Sequence, residues 1–204
     1  MRYDITHQER YSRIQLLLRS LLGMVYLIIP HLLALLLLAV LLLPLAFFAW
    51  WAILITGRTP GWYYQYLMGL SRWWQRFLSR ALHLADGYPK FGFAAADDAV
   101  ELEVEQVYIG RGPLLLRSVL GWLYMIPHIL FLYFRTIGSC LLIIGAWWSV
   151  LLTARYPASW HRFNTATLRW YSRLFLWAGG LLRGFPPLHG RPDREGSASA
   201  EVPL

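Results

Sequence analysis

Thirty-eight consecutive residues, Ser20 to Gly57, contain no Asp, Glu, Lys or Arg. A helix needs roughly 20 apolar residues to cross the hydrocarbon core of a bilayer, so this run predicts a segment that meets lipid. A second apolar block, 114–154, follows. The chain as a whole is 57% hydrophobic and 15% charged, against about a quarter charged for soluble domains. No secretory signal is visible: the opening residues are polar and mixed in charge, and the block behind them is too long for a signal h-region. The first membrane segment is therefore expected to stay in the mature protein.

The two blocks belong to a repeat. Leu16-Leu-Leu-Arg19-Ser20-Leu-Leu22-Gly23 returns as Leu114-Leu-Leu-Arg117-Ser118-Val-Leu120-Gly121, and Pro30-His31 as Pro127-His128. From there the offset stays at 97. Trp50-Trp51 matches Trp147-Trp148, Thr56 and Arg58 match Thr153 and Arg155, Arg72-Trp73 and Arg76 match Arg169-Trp170 and Arg173, and Gly87-Tyr88-Pro89 matches Gly184-Phe185-Pro186. Shared composition does not hold so many matches in register, and a tandem duplication is expected. The organisation read from it is a first membrane repeat over 1–93, an acidic linker with a short strand over 94–113, a second membrane repeat over 114–188 and a disordered Gly/Pro/Ser/Ala-rich tail over 189–204. Before each repeat a brief alternation, Tyr3-Asp-Ile5-Thr and Val100-Glu-Leu102-Glu-Val104-Glu, has the period of a strand, and the two short strands are expected to pair.

The fold class expected is all-α and integral to the membrane. Forty-one apolar residues make a helix of roughly 60 Å, about twice a bilayer core. Two solutions fit. Either each block folds into a transmembrane hairpin, or an interfacial helix up to Pro30 or Pro127 precedes one long tilted span. Charge placement favours the hairpin, which puts Arg10, Arg13, Arg19, Arg58, Arg72, Arg76 and Arg80 on one side of the membrane and Arg135 at a solvated tip. After Pro60 and Pro157, which break a continuing helix, come aromatic, arginine-rich segments. The spacing of Arg72, Arg76 and Arg80 puts them on one helix face, which predicts an amphipathic helix in the headgroup plane.

The net charge is +8, from 18 Arg and the single Lys90 against 11 acidic residues. The arginines flank apolar blocks, which suits anionic headgroups and argues against nucleic acid. Arg19, Arg117, Arg58, Arg155, Arg72, Arg76, Arg80, Arg169 and Arg173 are the candidate headgroup contacts. His31 and His128 are repeat-related and are the weak candidates for a cofactor, either haem or metal; packing beside a proline kink is the alternative role. The lone Cys140 forms no disulfide framework or multi-cysteine metal site. No nucleophile elbow, phosphate loop, paired carboxylates or metal-ligand spacing appears, so no catalytic residue, metal or cofactor is expected. No Asp or Glu lies inside either block, which weighs against ion-coupled transport.

The combined pattern — Arg-x-x-Leu ahead of Pro-His, an apolar run ending in Trp-Trp-(Ala/Ser)-x-Leu-(Ile/Leu)-Thr-x-Arg-x-Pro, then Arg-Trp and Gly-Tyr-Pro — resembles the bacterial membrane family called domain of unknown function 4389. Ala154, where Gly57 stands in the first copy, departs from it. The resemblance implies a bacterial cytoplasmic (inner) membrane location, a multi-pass architecture and no assigned activity. The expected function is a non-enzymatic membrane protein acting as a scaffold, lipid-organising element or accessory subunit, with membrane lipids and a membrane-protein partner or second copy as partners. A small oligomeric channel or transporter is the alternative, and a haem-binding electron-transfer subunit a further one.

Overall fold

Each apolar block folds as one unbroken rod, because nothing in it stops a helix. A computed structural model describes residues 1–193, and the chain is mostly helical. The first rod, Arg13–Thr56, consists of α1 (Arg13–Gly23), a π-turn (Met24–Ile28) and α2 (Ile29–Thr56); the second is α4 (Arg111–Thr153). Both are long and apolar enough to cross a membrane. The hairpin expected for each block is not formed. The stretch around Arg135, read as a solvated tip, is helical: Thr136 Oγ1 donates to Leu132 O within the helix, and Arg135 lies on the neighbouring helix with its guanidinium over Phe163. Pro44 and Pro127 sit inside the rods without ending them. Pro30 lacks the N–H that would reach Tyr26 O, and the Tyr88 hydroxyl donates to that carbonyl instead at 3.1 Å.

The rods end where the backbone turns left-handed, at Gly57 (φ 73°) and at Ala154 (φ 57°). Short helices follow, α3 (Gly61–Ala81) and α5 (Ala158–Ala178). Each doubles back over the middle of its own rod. In the first half Tyr66 Oη donates to Leu38 O and Trp73 Nε1 to His31. In the second, Arg135 donates to Thr167 and Trp170 Nε1 to His128. On top lies a two-stranded antiparallel ribbon, β1 (Arg2–Ile5) with β2 (Val100–Glu103), in the register Tyr3↔Leu102. Period-two alternation sends Tyr3, Ile5, Leu102 and Val104 inward and leaves Arg2, Asp4, Glu101 and Glu103 exposed. The ribbon is fastened to the short helices: Arg72 Nε donates to Leu102 O, Arg169 Nε to Tyr3 O, and the buried Tyr3 hydroxyl to Gln75.

The two halves hold each other through matched contacts. Trp50 Nε1 donates to Ser118 Oγ and Trp147 Nε1 to Ser20 Oγ, both at 2.8 Å. Arg13 donates to Leu152 O and Arg111 to Ile55 O. The turn carbonyl of Gly57 accepts from Ile109 N, and that of Ala154 from Tyr11 N. Contacts in which i meets j′ and i′ meets j are the signature of an isologous pair, here within one chain. The rods therefore run antiparallel, the start of each beside the end of the other. One core cluster draws Leu16, Ala49 and Leu67 from the first half together with Ala146, Leu168 and Leu176 from the second.

Candidate functional site

Arginines, the residues singled out from sequence, are the main polar feature of the interior, but most are already engaged. Arg76 and Arg173 are each 2% exposed. Arg76 donates to the carbonyls of Gly92 and Ala95, and Arg173 to those of His189 and Arg191 and to the Asp193 carboxylate. Burial holds both guanidinium pKa values below their usual range, with Asp97 and Asp193 respectively opposing the shift. Arg80 pairs with Asp97 at 2.9 Å, and Arg169 binds Tyr3 O, Gly190 O and Asp4. These four therefore do not form a basic face turned to headgroups, as the helical spacing led us to expect. The loop after α3 and the chain after α5 wrap that face, and the arginines satisfy backbone carbonyls that a sheet or helix does not. The same contacts hold residues 189–193, the start of the tail expected to be disordered; residues 194–204 lie outside the described residues. Arg72 is exposed along its stem while its Nε serves the ribbon. Arg58 and Arg155 are exposed beside the turns at opposite ends of the molecule, and of the nine candidates they are the ones most open to a surface.

Arg19 and Arg117 differ although their surroundings match. Arg19 Nη1 donates to Arg80 O and Ala85 O, and its Nη2 forms an ion pair with Asp86 Oδ1 at 2.8 Å. Arg117 Nη1 donates to the equivalent carbonyls of Trp177 and Leu182. Its Nη2 is buried without a partner among the described residues. The position equivalent to Asp86 is Arg183.

His31 and His128 are fully buried, and each Nδ1 accepts from a tryptophan Nε1 at 2.9 Å. Tryptophan is a donor only, so the neutral imidazole carries its proton on Nε2. That nitrogen has no lone pair to offer a metal or a haem iron. Phe91 stacks on His31 with centroids 3.9 Å apart, and Phe185 packs edge-on against His128. The histidines are thus acceptors for the tryptophans through Nδ1, while each Nε2 is buried without a partner among the described residues. They do not cap the carbonyl freed by Pro30, which Tyr88 reaches. Among the described residues no group of three or more His, Cys, Asp or Glu side chains is placed to hold a metal.

Sequence reading missed two cavities. One, of about 690 Å³, lies between the halves among Leu32, Leu35, Trp74, Leu78, Tyr171 and Phe175. The other, of about 330 Å³, borders Arg117. No signal in a linear sequence marks either, since both arise where the two halves meet. The chain matches no protein-family model, no curated protein and no solved structure.

Proposed function

We propose that this chain is a non-enzymatic, internally duplicated membrane protein that lies in one leaflet of the bilayer and acts as a lipid-organising scaffold. The observation that carries the reading is the place of the ribbon. Its Arg2 and Glu103 side chains are 65% and 62% exposed, and the ribbon sits over the short helices, which themselves cross the middle of the long rods. With the rods upright, these charges would lie near the bilayer midplane facing lipid. Arg2 pairs with Glu101 and Glu103, but even paired these charges would have to leave water, where a lone charge costs about 2.5–3.5 kcal/mol on insertion scales. With the rods lying along the membrane, the ribbon reaches water and no charge is buried in hydrocarbon.

The length of the apolar surface supports the same orientation. Large apolar side chains are exposed along the whole first rod, from Ile14 (80%) to Ile55 (66%). That is roughly 60 Å of helix, against a core of about 30 Å. The second rod is alike, from Leu115 to Leu152. Arg58 and Arg155, exposed at opposite ends, are then at one headgroup plane, where anionic lipid favours them. The bacterial cytoplasmic membrane, and kinship with the family that the motifs resemble, are part of this proposal and rest on sequence alone.

A channel is the second reading, favoured by the exposed charged face of the ribbon, Arg2, Glu101 and Glu103: copies arranged with their ribbons inward would surround a polar path at mid-membrane. Single cysteines replacing Arg10, Arg58, Glu103 and Arg155 in a Cys140→Ser background separate the two. A membrane-impermeant thiol reagent is expected to reach all four from one side. Labelling of Arg10 and Arg155 from one side and Arg58 from the other would mean upright rods, and would move the channel ahead.

A further inference from the structure

The guanidinium of Arg19 is fully paired, and that of its counterpart Arg117 is not. Around Arg19 every guanidinium nitrogen has an acceptor, and Asp86 supplies the negative charge. Around Arg117 the backbone carbonyls are in the same places, but Arg183 stands at the position equivalent to Asp86, so that carboxylate is absent from the site and Nη2 is a donor without an acceptor among the described residues. An unneutralised guanidinium in a low-dielectric place is costly unless an anion meets it. A cavity of about 330 Å³ adjoins it, walled by Ala46, Trp50, Ile53, Trp122 and Met125. The first and second halves both contribute to that wall.

We propose that Arg117 is a binding site for one anionic amphiphile, with a phosphate or carboxylate oxygen taking the position of the missing Asp86 carboxylate and the apolar chain lying along the cavity wall. Guanidinium presents paired donors that match either oxyanion. This rests on the reading of the rods as lipid-embedded, and it names the site at which that lipid is held rather than merely adjacent. Arg183, at the position equivalent to Asp86, is exposed.

The test uses full-length protein reconstituted in mixed phosphatidylglycerol and phosphatidylcholine vesicles, released and weighed intact with its bound lipid. Wild type is expected to retain one phosphatidylglycerol. Arg183→Asp installs the carboxylate that the first half has, and retention should fall roughly tenfold or more, the factor for one charge-assisted hydrogen bond. Arg183→Leu removes the same positive charge without supplying an acceptor, and should keep most of the lipid. Equal retention by wild type and Arg183→Asp overturns the site, and so does an Arg183→Leu loss as large as that of Arg183→Asp. Inorganic phosphate is added in a parallel arm. Phosphate that displaces the lipid and itself binds wild type but not Arg183→Asp would mean a small-anion site, and would overturn the amphiphile. Vesicle flotation separates the two readings: protein that does not float ends the lipid-embedded account, whereas floating protein with unchanged lipid retention ends this inference alone.

Discussion

The two halves of the molecule use the same plan with different degrees of closure. In the first, Arg19 has Asp86, the left-handed turn has Gly57, and the carbonyl freed by Pro30 has the Tyr88 hydroxyl. In the second, the equivalents are Arg183, Ala154 and Phe185. One lacks the charge, one strains the backbone and one lacks the donor. Other contacts are duplicated, including the tryptophan–histidine bonds and the carbonyl contacts of Arg76 and Arg173. The difference teaches that the scaffold is set by the shared contacts. The second half differs at three equivalent points, two of them beside Arg117 and at the end of its rod.

The largest test of that asymmetry is the ion pair. Asp86→Ala strands a buried guanidinium and should cost about 3 kcal/mol, the low end for breaking a buried pair, because the Asp86 side chain is 16% exposed. Arg183→Ala should cost nothing measurable. Denaturant unfolding in detergent micelles reads both, and similar costs would erase the distinction. Next is the turn. Gly57→Ala puts a Cβ about 2.5 Å from the Tyr108 ring in a left-handed backbone, for a loss of about 2 kcal/mol. Ala154→Gly should gain about 1 kcal/mol by relieving the same conformation. Opposite signs at equivalent positions are the expected result.

A pH response should also be uneven. His83 is left-handed (φ 58°) where the second half has Gly180. Burial, reinforced by the nearby Arg19 charge, pushes its pKa down from 6.5 to about 4. Between those values the unfolded chain binds the proton and the folded chain does not. Stability is therefore full above about pH 6.5 and falls as pH drops towards 4. Burial lowers His161 in the same direction. Melting temperatures across pH 7 to 4 should slope downward, and His83→Gly should flatten part of the slope; an unchanged slope would exclude His83 as a contributor. The smallest effect is at the kink. Tyr88→Phe copies the second half and should lose about 1 kcal/mol, one net hydrogen bond, in the same unfolding assay.

Much of the architecture could be read from residues in order. The rod ends at Thr-x-Arg-x-Pro and the alternating ribbon strands appear where their local patterns put them, because each is decided by neighbours in the chain. The hairpin failed for a different reason. It came from matching 41 residues to an upright crossing, and nothing at Leu38–Leu42 or Arg135–Ser139 stops a helix. The arginine face failed because spacing by four shows which residues share a face but not what covers it; Gly92–Asp97 and His189–Asp193 do so from further along the chain. The difference at Arg117 was present in the sequence as Asp86 against Arg183, but became meaningful only when the carbonyl contacts showed that Arg19 and Arg117 occupy equivalent sites and that Asp86 completes the first.

The central claim is that the rods lie along the membrane, and immersion depth tests it most directly. Spin labels on cysteines replacing Leu17, Leu33 and Phe47, all exposed along the first rod, report depth by their accessibility to oxygen against a polar relaxant. The account predicts similar shallow depths at the two ends and the middle, all within one leaflet. A profile in which Leu33 sits at the midplane while Leu17 and Phe47 approach opposite headgroup layers would contradict it.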